Sequence, residues 1–241
     1  MRVLAIETST AWGSVAITDA GGVVAERSAD VPGQHLEWLV SAIDAMLTEA
    51  RLDRTSVDGL AVSIGPGRFN GLRIGLATAS AWAATAGRPL AGVSTLDTIA
   101  AGTSVEPAGV EPAGAKPAAG ALVLAVLDVR RGEVAAALYR RVEGLARLTA
   151  NVVAPPDRLR DALPPITEPL IVAGDGLERH QAAVLEALAP WAAPAAPEQW
   201  RPRASVVGML GRSRLVRGDH DDPLTLVPVY ARPVDAREYA R

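Results

Sequence analysis

Two carboxylates stand at matching places in a chain of 241 residues: Glu7 directly follows the aliphatic run Val3–Ile6, and Asp128 directly follows Leu122–Leu127. A pair of acids at the ends of two strands can hold a metal-bound phosphate or orient a water; the same acids can also be ordinary strand-end residues. Between them runs Ser63-Ile64-Gly65-Pro66-Gly67-Arg68-Phe69-Asn70-Gly71-Leu72-Arg73-Ile74-Gly75-Leu76-Ala77, which reads as a strand, a glycine turn and a helix start. Gly65 and Gly67 permit positive φ or a close backbone approach, and amides at the start of the helix can bind phosphate or carboxylate. A tight strand-to-helix connection without a ligand uses the same glycines. The spacing is not that of a P-loop, because no Gly-Lys-Ser/Thr follows. Thr8-Ser9-Thr10-Ala11-Trp12-Gly13 adds hydroxyls and one glycine after the first acid. Glu7, Gly65, Gly67 and Asp128 are the candidate phosphate or nucleotide contacts.

Other chemistries have less support. The chain has no Cys, which removes disulfides, thiolate nucleophiles and Cys-based zinc sites. His35, His180 and His220 lie far apart. His35 opens a helix with Leu39 four residues on, so no His-x-x-x-His pair forms there, and a capping or surface role is expected. His180 and His220 sit among Arg and Asp and are expected to be solvated. No Gly-x-Ser-x-Gly elbow supports a serine nucleophile. No metal site and no cofactor are expected.

The elements that position these residues follow from hydrophobic patterning. Val3–Ile6, Gly13–Thr18 and Val23–Ser28, with the turn Asp19-Ala20-Gly21-Gly22, predict an antiparallel meander. In His35–Ala50 the residues Leu36, Leu39, Val40, Ile43, Met46 and Leu47 form one helical face. Leu60–Ile64 is a strand, 70–86 a helix, Leu90–Val93 a strand, and Thr95–Ala100 begins a helix. Ala101–Gly120 is Ala/Pro/Gly-rich, with Pro107, Pro112 and Pro117, and is expected to be a flexible linker without function. The order then repeats: strands at Leu122–Leu127, Glu133–Arg140 and Ala146–Val153, a short helix at Pro156–Leu163, a strand at Leu170–Ala173 and a helix at Leu177–Leu188. Leu4-Ala5-Ile6-Glu7 also matches Leu124-Ala125-Val126-Leu127-Asp128 locally. A βββαβα order written twice predicts an α/β fold of two ribonuclease-H-like halves across a cleft, the architecture of actin, Hsp70 and the sugar kinases. The halves are expected at 1–100 and 121–241, joined by 101–120.

Composition narrows the function. With 49% hydrophobic and 21% charged residues and a net charge of −3, this is a folded protein and not a free-standing, avid nucleic-acid binder. No apolar run is long enough for a signal segment or a membrane span, so a cytoplasmic location with no membrane contact is expected. The 70–86 helix is rich in small residues that let another helix approach closely. Together with the amphipathic helix before it, it can form half of a four-helix contact with a partner. The candidate interface is Leu36, Leu39, Val40, Ile43, Leu47, Gly71, Leu72, Gly75, Ala79 and Trp82. A weaker reading puts phosphates on Arg201, Arg203, Arg212, Arg214, Arg217, Arg232 and Arg237, against a solvated face balanced by Asp219, Asp221, Asp222 and Asp235.

At Leu4–Thr8, Gly65–Ala77, Gly92–Leu96, Leu127–Val134 and Val227–Arg232 the chain resembles the TsaB (YeaZ) family of tRNA threonylcarbamoyladenosine biosynthesis subunits. The family segment GPGSFTGLRIGLA stands here as GPGRFNGLRIGLA, so Arg68 and Asn70 depart from it. The resemblance implies a non-catalytic subunit of the bacterial complex that transfers threonylcarbamoyl to N6 of adenosine 37 in tRNAs reading codons that begin with A. It implies a heterodimer with the catalytic paralogue TsaD, the ATPase TsaE in the same assembly, a homodimer when alone, and tRNA contact only through the complex. The His-x-x-x-His metal pair of TsaD would fall on Thr95 and Ile99, and neither can replace it. The alternative function is an ATP-dependent small-molecule kinase or a glycoprotease-like enzyme of the same fold. Arg68 places a cation beside a helix N-terminus, which is unfavourable unless an anion or an acidic side chain is near.

Overall fold

The computed structural model describes residues 1–103 and 120–232; Arg237 and most of the 101–120 linker lie outside them. Strands β1 (Val3–Glu7), β2 (Trp12–Asp19) and β3 (Gly22–Asp30) form the expected meander. Strands β4 (Gly59–Gly65) and β5 (Leu90–Ser94) add in parallel, giving the order β3-β2-β1-β4-β5. β1 is buried along its whole length, as the centre strand of a sheet covered on both faces must be. Helices α1 (His35–Glu49) and α2 (Phe69–Ala86) cover one face, packing Leu39, Ile43, Met46 and Leu47 with Leu4, Ile6, Val15 and Ile17.

Helix α3 (Thr95–Gly102) leads to the second sheet, built of β6 (Leu122–Asp128), β7 (Val134–Arg141), β8 (Leu145–Arg147), β9 (Val152–Ala154), β10 (Leu170–Ala173) and β11 (Ala192–Pro194). Its order is β11-β10-β6-β7-β8, with β9 also pairing with β7. The strand expected over Ala146–Val153 is two strands. β8 pairs with Tyr139–Arg141 and β9 with Val134–Ala136, so the chain between them leaves the ladder, and the Thr149 hydroxyl accepts the Leu138 N–H instead. The segment expected as a short helix is a 3-10 helix over Pro156–Ala162. Helix α4 (Gly176–Ala187) packs on one face of this sheet through Leu177 and Val184, and α3 packs on the other.

The last helix, α5 (Ala204–Val216), has no counterpart in the sequence expectation. It comes from the second part of the chain but lies on the first sheet, against β1, β2, β4 and β5. The sheet face beneath it is small: Ala5, Ala16, Ala61 and Ala91 meet Ala204 and Val207. A Cβ at Gly211 would collide with the Ala61 side chain, so close approach selects glycine there. The chain then continues along the first sheet. Asp221 N–H donates to the Leu90 carbonyl at 2.8 Å, and Val229 N–H donates to the Ile64 carbonyl at 2.7 Å. Division by chain order and division by packing therefore do not coincide.

Candidate functional site

The ends of β1 and β6, where the two acids stand, are built differently. Glu7 is fully buried. The Ser9 N–H donates to its Oε1 at 2.6 Å, while Oε2 has no partner among the described residues. Burial pushes its carboxyl up to about 7, against the pull of hydrogen bonds from Ser9 and Ser63.

Asp128 borders the cleft between the two parts. Its Oδ1 accepts the Arg130 N–H at 2.9 Å, and its own N–H donates to Asp175 Oδ1 at 3.0 Å. Arg130, Arg179 and His180 approach its carboxylate at 3.8, 3.7 and 3.9 Å. Asp175 occupies the N-cap position of α4 without a side-chain capping bond, and burial pushes it up to about 7, helped by Asp128 and Glu178 and opposed by the Asp128 N–H and Arg68. Arg68 reaches the same cleft from the start of α2. Burial, and then the field of Arg130, lower the pKa of its guanidinium below the ordinary value. Arg68, Arg130, Asp175 and Arg179 line a cavity of about 260 Å³ together with Thr10, Trp12, Asp30, Glu178 and Arg201. Arg201 lies over the Trp12 ring at 4.4 Å and donates to Glu178 at 3.2 Å.

The glycines of the 63–77 segment do not face that cavity. A Cβ at Gly65 would overlap the Val229 carbonyl oxygen, one at Gly67 the Ser9 carbonyl oxygen, and one at Gly71 the Thr8 carbonyl oxygen. A Cβ at Gly75 would overlap the Thr8 hydroxyl, and that hydroxyl donates to the Gly71 carbonyl at 2.8 Å. The glycines seat α2 on the chain that leaves β1, so their space is filled by the protein's own backbone. None of the four expected phosphate contacts lines this cavity: Asp128 sits beside it, against Arg130 and Arg179, and Gly65 and Gly67 lie in the packing with the buried Glu7.

The expected interface set divides in the same way. Leu39, Ile43, Leu47, Gly71, Leu72, Gly75 and Ala79 are buried within the chain itself and offer no surface to a partner. Helix packing on a sheet buries the i, i+3, i+4 stripe, so the most regular apolar positions are the least available. Leu36 (67% exposed) and Val40 (55%), one turn apart on α1, remain open, and Trp82 is half-buried.

Three further placements complete the account. His35 is buried, not at the surface; its Nε2 has no partner among the described residues, and burial, then Arg68, lower its pKa. His180 is partly buried at a kink in α4 beside Asp128. The basic residues near the C-terminus are engaged internally: Arg203 with Glu26, Arg214 with Asp219 and Asp221, Arg217 with Ser213, Arg232 with Glu133, and Arg212 with the Met1 carbonyl. Asp175, Arg130 and Arg179 were not singled out as site residues in the sequence. The available signal was Gly174-Asp175-Gly176 before a helix, a second glycine turn in the place of Gly65-Pro66-Gly67. No group of three or more metal-ligating side chains converges among the described residues.

Comparison with known proteins places this geometry. Residues 7–182 match the family described as TsaD: tRNA N6-adenosine threonylcarbamoyltransferase. The chain is 36% identical over 143 residues to the tRNA threonylcarbamoyladenosine biosynthesis protein TsaB of Escherichia coli, a match that covers 59% of this chain and 57% of that protein. It is 27% identical over 243 residues to the TsaB of Bacillus subtilis, covering 98% of this chain and 96% of that one. Among solved structures, YeaZ from Pseudomonas aeruginosa superposes with a TM-score of 0.77 at 26% identity, over 95% of this chain and 99% of that chain. The two-sheet α/β fold is shared with the activator of 2-hydroxyisocaproyl-CoA dehydratase from Clostridium difficile, at a TM-score of 0.50 and 10% identity over 90% of this chain and 97% of that chain. The chain belongs to the TsaB/YeaZ family, within the wider TsaD family of threonylcarbamoyltransferase-like proteins.

Proposed function

We propose that the chain acts in tRNA threonylcarbamoyladenosine biosynthesis as a non-catalytic, activating subunit. It binds a TsaD-type transferase in the cytoplasm, with TsaE joining the same assembly, and tRNA is contacted only through the complex. Without TsaD it pairs with a second copy of itself. The names of its relatives support the pathway. The observation that carries the non-catalytic role is the start of α3. By the family resemblance the transferase's metal-binding histidine pair would fall on Thr95 and Ile99, both buried in the core, and a hydroxyl and an alkyl group cannot replace two imidazoles. The partner surface is the exposed part of α1 around Leu36 and Val40, beside α2. An apolar pair left open one turn apart, on a helix otherwise buried along its inner stripe, suits a helix-to-helix contact.

Reconstitution of tRNA threonylcarbamoylation with and without this chain tests the role. Activity should require both proteins, and the isolated chain should modify nothing. Modification by this chain alone, Mg-ATP turnover by it, or full activity in its absence overturns the reading. Leu36→Asp with Val40→Asp should abolish co-purification with TsaD while the chain stays folded; retained pairing moves the interface elsewhere.

A further inference from the structure

We propose that the large cavity beside Trp12 and Trp200 binds a linear polyamine, with one ammonium group held by Glu198 and the indole faces and the methylene chain running toward Val206 and Met209. The cavity has a volume of about 780 Å³, and two indoles and three carboxylates line it: those of Trp12, Trp200, Glu26, Glu178 and Glu198. A volume of that size takes a small molecule. Its walls are fixed by their own hydrogen bonds. Trp200 Nε1–H donates to the Ala195 carbonyl at 2.8 Å, which sets the plane of the ring. At the start of α5, Glu26 Oε1 accepts the Ser205 N–H at 3.0 Å and the Ser14 hydroxyl at 3.2 Å.

The charge of the lining selects the sign of the ligand. Arg201 and Arg203 also line the cavity, and each is matched: Arg201 donates to Glu178 at 3.2 Å, and Arg203 lies 3.4 Å from Glu26. That leaves Glu198, an exposed acid with no hydrogen bond or ion pair among the described residues. An unmatched carboxylate beside two indoles suits an organic cation, because the ring faces carry the negative end of the aromatic quadrupole. The protein already uses one of these rings in that way, with the Arg201 guanidinium 4.4 Å from the Trp12 ring. Among the described residues no cation covers Trp200.

The shape of the lining selects a chain over a compact ion. Glu198, Arg201 and Arg203 also border an adjoining cavity of about 400 Å³, whose walls include Val23, Ile99, Val206 and Met209. Ser205 lines it as well, and its hydroxyl is buried without a partner among the described residues. A buried hydroxyl left unpaired costs free energy that a donor on a ligand recovers. A polyamine alternates ammonium groups with methylenes. One ammonium meets Glu198 and the indoles, the methylenes cover the apolar wall, and a second amine donates to Ser205 Oγ. A lone metal cation would leave the indoles and the apolar wall unused, and an anion would meet Glu198.

Calorimetric titration of the full chain with spermidine trihydrochloride tests the site. Salt at about 0.15 M screens unspecific attraction to a chain of net charge −3. Saturable binding tighter than about 1 mM is expected. Glu198→Gln and Trp200→Leu should each weaken it by about fivefold or more. Trp200→Phe should weaken it less than Trp200→Leu, and Glu37→Gln, at an exposed acid of α1, should leave it unchanged. Tetramethylammonium and magnesium chloride should each bind at least about tenfold more weakly than spermidine. Absence of saturable spermidine binding, affinity unchanged in a folded Glu198→Gln chain, or equal binding of tetramethylammonium or magnesium overturns the proposal. Should Trp200→Leu unfold, Glu198→Gln decides, because that side chain is exposed and its loss leaves no buried group behind. The titration needs neither TsaD nor tRNA, so its outcome is separate from that of the tRNA-modification reading.

Discussion

The two parts of the molecule place an acid at the end of the central strand and a glycine turn before a helix, then use them for different ends. In the first part, Glu7 is sealed in, and the glycines of α2 rest on the chain that leaves β1. In the second, Asp128 organises cations at the cleft, and Gly174 rests on its own sheet at Val126, with a φ of +128°. The same topology thus yields a packing joint on one side and an electrostatic surface on the other. The contrast also reassigns the glycine segment, the strongest motif in the chain: it fixes a helix on a sheet, with Arg68 at its edge in the cleft.

The largest expected effects test whether both glycine turns are packing joints. Gly71→Ala drives a Cβ into the Thr8 carbonyl oxygen, and Gly174→Ala drives one into the Val126 carbonyl oxygen from a left-handed backbone. Each should cost about 3 kcal/mol or more in urea unfolding. A tolerated Gly71→Ala would return that segment to ligand binding and break the comparison.

The pH dependence of stability sharpens it. Glu7 and Asp175 both rise to about 7 in the folded chain, from 4.5 and 3.8. The folded state therefore keeps protons that the unfolded state gives up, so stability is full below the unfolded values and falls as pH rises toward about 7. Each group contributes on the order of 3 kcal/mol. Urea midpoints compared at about pH 5 and about pH 8 should show this loss, and Glu7→Gln and Asp175→Asn should each remove part of it. A profile unchanged in Asp175→Asn would mean that the second acid is solvated and the two strand ends differ even more.

A smaller effect concerns the tail that seals the first glycine turn. Arg73 lies 3.8 Å over the Phe69 ring and donates to the Tyr230 hydroxyl at 3.0 Å, while Tyr230 stacks on Phe69. Arg73→Ala should cost about 1 kcal/mol and speed hydrogen exchange at the Val229 amide; unchanged exchange would show that Gly65, not this cluster, anchors the tail. The smallest effect is at the open face. Leu36→Asp should shift stability by less than about 0.5 kcal/mol, whereas Ile43→Asp, one face inward, should unfold the chain.

Much of the architecture was legible because it rests on local patterning. The meander, α1, α2, β4, β5, β6, β7 and α4 all follow from alternation, helical periodicity and turn residues. Helix α5 was not legible. It is buried through Ala204, Val206, Val207, Gly208, Gly211 and Leu215, a small and nearly unpatterned surface that makes sense only against the alanines of the first sheet. The single strand read over 146–153 failed because a ladder can be left and rejoined within a run of favourable residues. His35 was read as a capping or surface residue because a histidine at a helix start is usually exposed, and nothing local announces that Gly71 of α2 packs beside it.

The site divides along the same line. Asp128 and the oddity of Arg68 could be read from residue type and neighbours, since a cation at a helix start is a conflict visible in one dimension. That Arg130, Arg179 and Asp175 share the cavity of Arg68 depends on tertiary packing across more than a hundred residues of chain. The apolar stripe of α1 was equally plain, yet only the packed structure separated Leu36 and Val40 from Ile43. Periodicity names the side of a helix that avoids water. Which residues on it are already covered is set by the sheet beneath, because burial is a property of the neighbours and not of the residue.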